Sequence, residues 1–221
     1  MSNDTESTSL VLPPTDQLTT ESDTSSSSSS STSRIAETAT ELPDWSIGRV
    51  ISLAPRADNS RYHDGATGPQ QPLEQTSGFH FSTPDRTVNC STGVNGNTTL
   101  ACRLNDQPAE GNPPASTPSG CQWEANLAVL DSSGPQRGAC ADDTTVLYRS
   151  AIVDFGTTIA IGRFSCLVET DGTYCLESSS DTGFALTTTG YRKIYANERA
   201  PAALIGTSDT DSIPSTTATP S

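Results

Sequence analysis

Positive charge is scarce in this chain. Twelve Lys and Arg stand against 26 Asp and Glu, a net charge of −14 over 221 residues. A surface of that sign argues against nucleic acid as a partner, because phosphate binding needs a basic face. It argues equally against adsorption to anionic lipid headgroups. Large side chains are scarce too. Hydrophobic residues make up 32% and aromatic residues 5%, so much of the chain cannot belong to a packed core. No run approaches the roughly 20 apolar residues of a membrane span. The N-terminus, MSNDTESTSLVLPPTD, lacks the basic and apolar regions of a signal peptide. The only histidines are His63 and His80, and no two cysteines are spaced C-x2-C, which disfavours a metal set or a thioredoxin-type pair. G-x-G-x-x-G, P-loop and D-x-D-x-D-G motifs are absent. No cofactor is expected.

What remains divides into four parts. Residues 1–33 are more than half Ser and Thr and read as a disordered stalk, since they cannot bury enough apolar surface to offset their entropy. Residues 34–77 read as a partly ordered linker, with a short helix in RIAETATELPDW and one strand in SIGRVISLAP. Residues 78–198 carry short alternating runs between Gly, Asn, Asp and Pro punctuation. Strands are expected over 78–82, 87–92, 98–104, 126–130, 135–139, 145–147, 158–161, 164–169, 172–176 and 183–187. No segment keeps a helical apolar period over ten residues. Residues 199–221 read as a disordered C-terminal tail. The expected fold is all-β: a small disulfide-stapled antiparallel domain, sandwich or barrel-like, between disordered tails.

The cysteines are Cys90, Cys102, Cys121, Cys140, Cys166 and Cys175. In RFSCLVETDGTYCLE, a four-residue loop Glu169–Gly172 sets Val168 against Thr173 and Cys166 opposite Cys175. In NCSTGVNGNTTLACRL, a three-residue loop Asn95–Asn97 sets Val94 against Thr98 and Cys90 opposite Cys102. Opposed residues in an antiparallel pair have a separation that a disulfide can span. Cys121 and Cys140 are left, with the turn signal Asp131-Ser132-Ser133-Gly134-Pro135 between them. Sequential pairing, one of fifteen connectivities, follows from three local hairpins and implies an oxidising compartment.

The ordered landmarks GFHFSTPDRTVNC, LACRL, CQWE, NLAVLDSSGPQRGACADDT, IVDFGTTIAIGRFSC and CLESSSDTGFALTTTGYRKIY resemble a domain of unknown function in secreted proteins and lipoproteins of actinobacteria. The resemblance spans Gly78–Tyr195 and implies an envelope-facing location. It supplies no reaction and no catalytic residues. Asp85-Arg86 stands where the family has a Gly-Asn turn, Asn105–Gly120 is an enlarged loop, and Phe155-Gly156 replaces Tyr-Gly.

Candidate sites are few. His80, between Phe79 and Phe81 in an expected strand, should face solvent or an edge. His63 should lie in a loop. Asp142-Asp143 reads as a turn cap. Trp123, Phe155, Phe164, Phe184 and Tyr191 are expected in the core. Tyr148 and Tyr195 are the aromatics most able to form an exposed carbohydrate platform. No base–nucleophile set is evident, so no catalytic residues are assigned. The sequence therefore points to an extracytoplasmic, membrane-anchored, non-catalytic binding or structural module of the bacterial cell envelope, lipid-anchored through a segment ahead of Met1. Its expected partner is an envelope protein or cell-wall component, with no nucleic acid and membrane contact only through the anchor. An accessory subunit of an envelope membrane-protein complex and a cell-wall hydrolase are the alternatives.

Overall fold

The computed structural model describes residues 42–93, 96, 98–141 and 145–205. The stalk over 1–33, the RIAETATELPDW helix up to residue 41, the loop positions Val94, Asn95 and Asn97, the Asp142-Asp143 cap and the tail beyond 205 lie outside the described residues.

The elements run α1 (Ile47–Leu53), β1 (Asp64–Ala66), β2 (Glu74–Gln75), β3 (His80–Ser82), β4 (Val88–Thr92), β5 (Leu100–Leu104), β6 (Trp123–Asp131), β7 (Gly134–Cys140), β8 (Arg149–Ile152), β9 (Thr157–Ile161), β10 (Phe164–Glu169), β11 (Gly172–Glu177), β12 (Thr182–Thr187) and β13 (Gly190–Tyr195), with a 3-10 turn at Asn59–Arg61. The first sheet has the order β2-β1-β8-β3-β4-β5-β6-β7 and the second β13-β12-β11-β10-β9. Every pairing is antiparallel except β3 with β8. The barrel alternative falls away, because the two sheets do not close on each other.

Alternation builds the core. Phe81, Val88, Cys90, Leu100, Cys102, Leu104 and Leu130 point inward from the first sheet. They meet Ile159, Ile161, Phe164, Cys166, Val168, Phe184 and Leu186 from the second. Disulfides join Cys90 to Cys102, Cys121 to Cys140 and Cys166 to Cys175. The first and third link directly opposed residues on β4–β5 and β10–β11, and all four of their cysteines are buried in the central core. Cys121 and Cys140 are only half-buried, at the rim.

The expected strand in SIGRVISLAP is instead α1. Ile47, Val50, Ile51 and Ala54 recur at helical spacing, and they cover Leu167, Tyr174, Leu176 and Ile194 on the outer face of the second sheet. The Ser46 side chain caps the helix by accepting from the Arg49 N–H at 3.3 Å, and Pro55 ends it. β-Branched composition suggests a strand here, but the apolar stripe decides for helix. The chain remains packed past residue 198: Ser46 bridges Arg199, and Ala200 is buried against the same face. From α1 the chain runs beside β9, where Ala57 N–H donates to Thr158 O at 2.9 Å and Thr158 N–H to Pro55 O at 2.8 Å.

Other expectations need correction. The expected strand over 145–147 is an extended cover without ladder pairing. Val146 and Leu147 are buried, Val146 packing against Ala101 and Leu127 on the outer face of the first sheet, and the strand itself is β8, just beyond. Phe155 lies in the β8–β9 turn and is exposed, so it is not core. Trp123 is half-buried over the β6–β7 bulge, where Gly138 has φ +74°. A Cβ on Gly138 would sit 2.1 Å from Trp123 Cζ2. Gly138→Ala is therefore expected to cost about 2 kcal/mol through strain and displacement of the indole. Denaturant unfolding followed by tryptophan fluorescence measures it, and a loss under about 0.5 kcal/mol would mean the ring is not seated there.

His80 is also corrected: it is 6% exposed and lies in a central strand. Alternation does turn it away from the core, but residues 62–78 cover that face. Its Nδ1 meets Ser91 Oγ at 2.8 Å and its Nε2 meets Thr76 Oγ1 at 2.7 Å. Thr76 Oγ1 donates to His63 O, so it accepts from His80 Nε2–H. With the ring proton on Nε2, Nδ1 is an acceptor and takes the Ser91 hydroxyl proton, while Ser91 Oγ accepts from Leu147 N–H. The neutral ring is fully satisfied. Burial, and after it the charge of His63, lowers its pKa to about 4.

Candidate functional site around Tyr148

Along β4 the outer face of the first sheet is polar, because the inner face takes the apolar half of the strand. On β4, Cys90 points inward, which turns Asn89 and Ser91 outward. Asn89 Nδ2 donates to Tyr148 O at 2.7 Å and so pins the covering segment across the sheet. The Tyr148 ring is left 55% exposed. Arg149 follows at the start of β8 and donates from Nη2 to Gln71 O at 2.6 Å.

The opposite wall comes from the β3–β4 turn. Asp85 Oδ1 accepts from the Thr87 N–H and from the Thr83 and Thr87 hydroxyls. These bonds hold its pKa below the usual range even though burial, the largest single influence, pushes it up. The bonded turn forces Arg86 to φ +59°, a conformation uncommon for any residue but glycine. Asn105, just past β5, donates from Nδ2 to Arg86 O at 2.7 Å and braces the turn.

Arg86, Asn89, Asn105, Tyr148 and Arg149 line a cavity of about 390 Å³, within the size range of small-molecule sites. Two polar atoms of these residues, Asn89 Oδ1 and Arg149 Nε, are buried behind the lining without a hydrogen-bond partner. Neither Arg86 nor Arg149 is ion-paired to a carboxylate among the described residues.

A second, smaller cleft of about 120 Å³ lies where turns of both sheets meet, lined by Asp85, Asp106, Glu169 and Asp171 with several threonines. Burial, and next the charge of Asp171, raises the Glu169 pKa. Tyr174 donates to Asp171 at 2.7 Å. Neither histidine lines this cleft.

Of the residues singled out from the sequence, Tyr148 lies in the larger cavity, while Tyr195, 47% exposed, stands apart under Lys193. The six cysteines staple hairpins rather than line either site. Arg86, Asn89, Asn105 and Arg149 escaped sequence reading, although the Asp85-Arg86 turn was the one signal on offer. Together the fold and site define a disulfide-stapled β domain of two face-packed sheets with a ligand-sized polar cavity on one outer face. No family model, curated protein or solved structure matches the chain.

Proposed function

We propose that this chain is an extracytoplasmic, lipid-anchored, non-catalytic binding module of the bacterial cell envelope, and that the Tyr148 cavity is its ligand site. The use of all six cysteines in three intramolecular bridges, with none free, carries the reading. Such bridges persist where the surroundings are oxidising. The resemblance to actinobacterial secreted proteins and lipoproteins supports the same location. The cavity supports binding, since it joins an exposed aromatic ring to convergent polar groups.

The test is co-sedimentation of the full chain with purified, protein-free cell-wall sacculi. Saturable binding that Tyr148→Ala weakens severalfold is the expected result. Absence of binding, together with co-purification on a membrane-protein complex, would replace this reading with that of an accessory subunit.

A further inference from the structure

We propose that the Tyr148 cavity takes an acidic sugar: a single pyranose unit bearing a carboxylate, as in a uronic acid of an envelope glycan. This rests on the binding-module reading above and names its ligand class. Acidic residues outnumber basic ones 26 to 12, yet two guanidinium side chains line one cavity, and neither has a carboxylate partner among the described residues. A guanidinium fork matches a carboxylate in shape and charge.

A bare anion leaves the aromatic wall of the cavity unused, whereas a hydroxylated ring bearing a carboxylate meets both the guanidinium groups and Tyr148. The exposed Tyr148 ring supplies a flat apolar surface for the C–H face of a sugar, with a hydroxyl at its rim.

Arg86 makes the idea testable without endangering the fold. It occupies a left-handed position that glycine prefers. Arg86→Gly therefore removes a guanidinium while relieving the turn. Titration calorimetry on the full chain would compare methyl glucuronoside, methyl glucoside, glucose 6-phosphate and acetate. Glucuronoside is expected to bind at least about tenfold tighter than each of the others. Arg86→Gly should weaken it about tenfold with the melting temperature unchanged or higher. Equal binding of the neutral glucoside would overturn the charge assignment but leave a carbohydrate module standing. Tighter binding of the phosphate would overturn the carboxylate. Unchanged affinity in Arg86→Gly would move the site elsewhere. If no sugar binds, this inference fails, and the sacculus experiment decides separately whether the binding-module reading fails with it.

Discussion

Replacing Cys90, Cys102, Cys166 and Cys175 together with alanine is expected to unfold the domain near room temperature. Each bridge closes a short loop, with sequence separations of 12 and 9. Restricting the unfolded chain by loops of that size contributes about 3 kcal/mol apiece. The four sulfurs also fill the middle of the core, so their loss adds a packing deficit. The total, about 6 kcal/mol or more, is comparable to the whole stability of an ordinary domain, ~5–15 kcal/mol. The bridges share one core and need not act additively. Removing Cys121–Cys140 instead should leave a folded, weaker protein.

Access follows the same geography. Mild reductant should open Cys121–Cys140 first, because its cysteines are half-buried at the rim. The other two bridges should open only with global unfolding. Stepwise reduction with alkylation and peptide mapping, alongside far-UV circular dichroism, reads both outcomes. Labelling of Cys166 or Cys175 while the protein is still folded would refute the buried placement.

Acidification is expected to destabilise the domain in two successive steps. The first belongs to His80, whose pKa falls from an ordinary 6.5 to about 4 on folding. Between those values the unfolded chain holds a proton that the folded one lacks. Stability therefore falls as pH drops through that window. Over the whole window the loss is on the order of 3 kcal/mol, roughly a three-hundredfold change in the folded-to-unfolded ratio. Its cause is the burial of the ring, which disfavours the charged form, with the charge of His63 second.

The second step belongs to Glu177, which is fully buried beside Arg163 at 3.6 Å. Burial pushes its pKa up, but bonds from the Ser179 and Ser180 N–H groups and the Ser179 hydroxyl outweigh that and leave it lowered. Its contribution is present above the ordinary carboxyl value of 4.5 and is lost as pH falls below it. Urea unfolding at half-unit steps from pH 7.5 to 3.5 separates the two, with His80→Gln as the comparison. The variant should lose the slope above pH 4.5 and keep the one below. A wild-type stability that is flat from pH 7 to 5 would contradict the first step.

Local pairing was the part of this fold written plainly in the sequence. The β10–β11 register, with Val168 opposite Thr173 and Cys166 opposite Cys175, follows from a few turn residues and strict alternation. The same logic reaches β4–β5 and much of β6–β7. It stops where contacts are distant in sequence. α1 is ambiguous locally, because its β-branched residues also suit a strand and only the outer face of the second sheet gives its apolar stripe a use. For His80, alternation fixes the direction of the side chain, but not that residues 62–78 come to lie over it. The ligand cavity suffers most. Arg86 and Arg149 are brought together by the parallel β3–β8 pairing, a crossover that leaves no local trace.

The path from α1 to β1 has a consequence for self-association. β9 is the outermost strand of its sheet, and such a strand offers unpaired backbone groups to any passing chain. Here residues 55–59 occupy that margin: Pro55 and Ala57 bond to the Thr158 backbone, and the Asn59 side chain bonds to Ala160 O. The segment works as a guard rail. A chain cut back to Gly78, where the regular alternation begins, would keep its strands and bridges but leave β9 open. It would also strip α1 from the apolar outer face of the same sheet. Such a fragment should pair edge to edge into oligomers, whereas the intact chain keeps that margin closed with its own backbone.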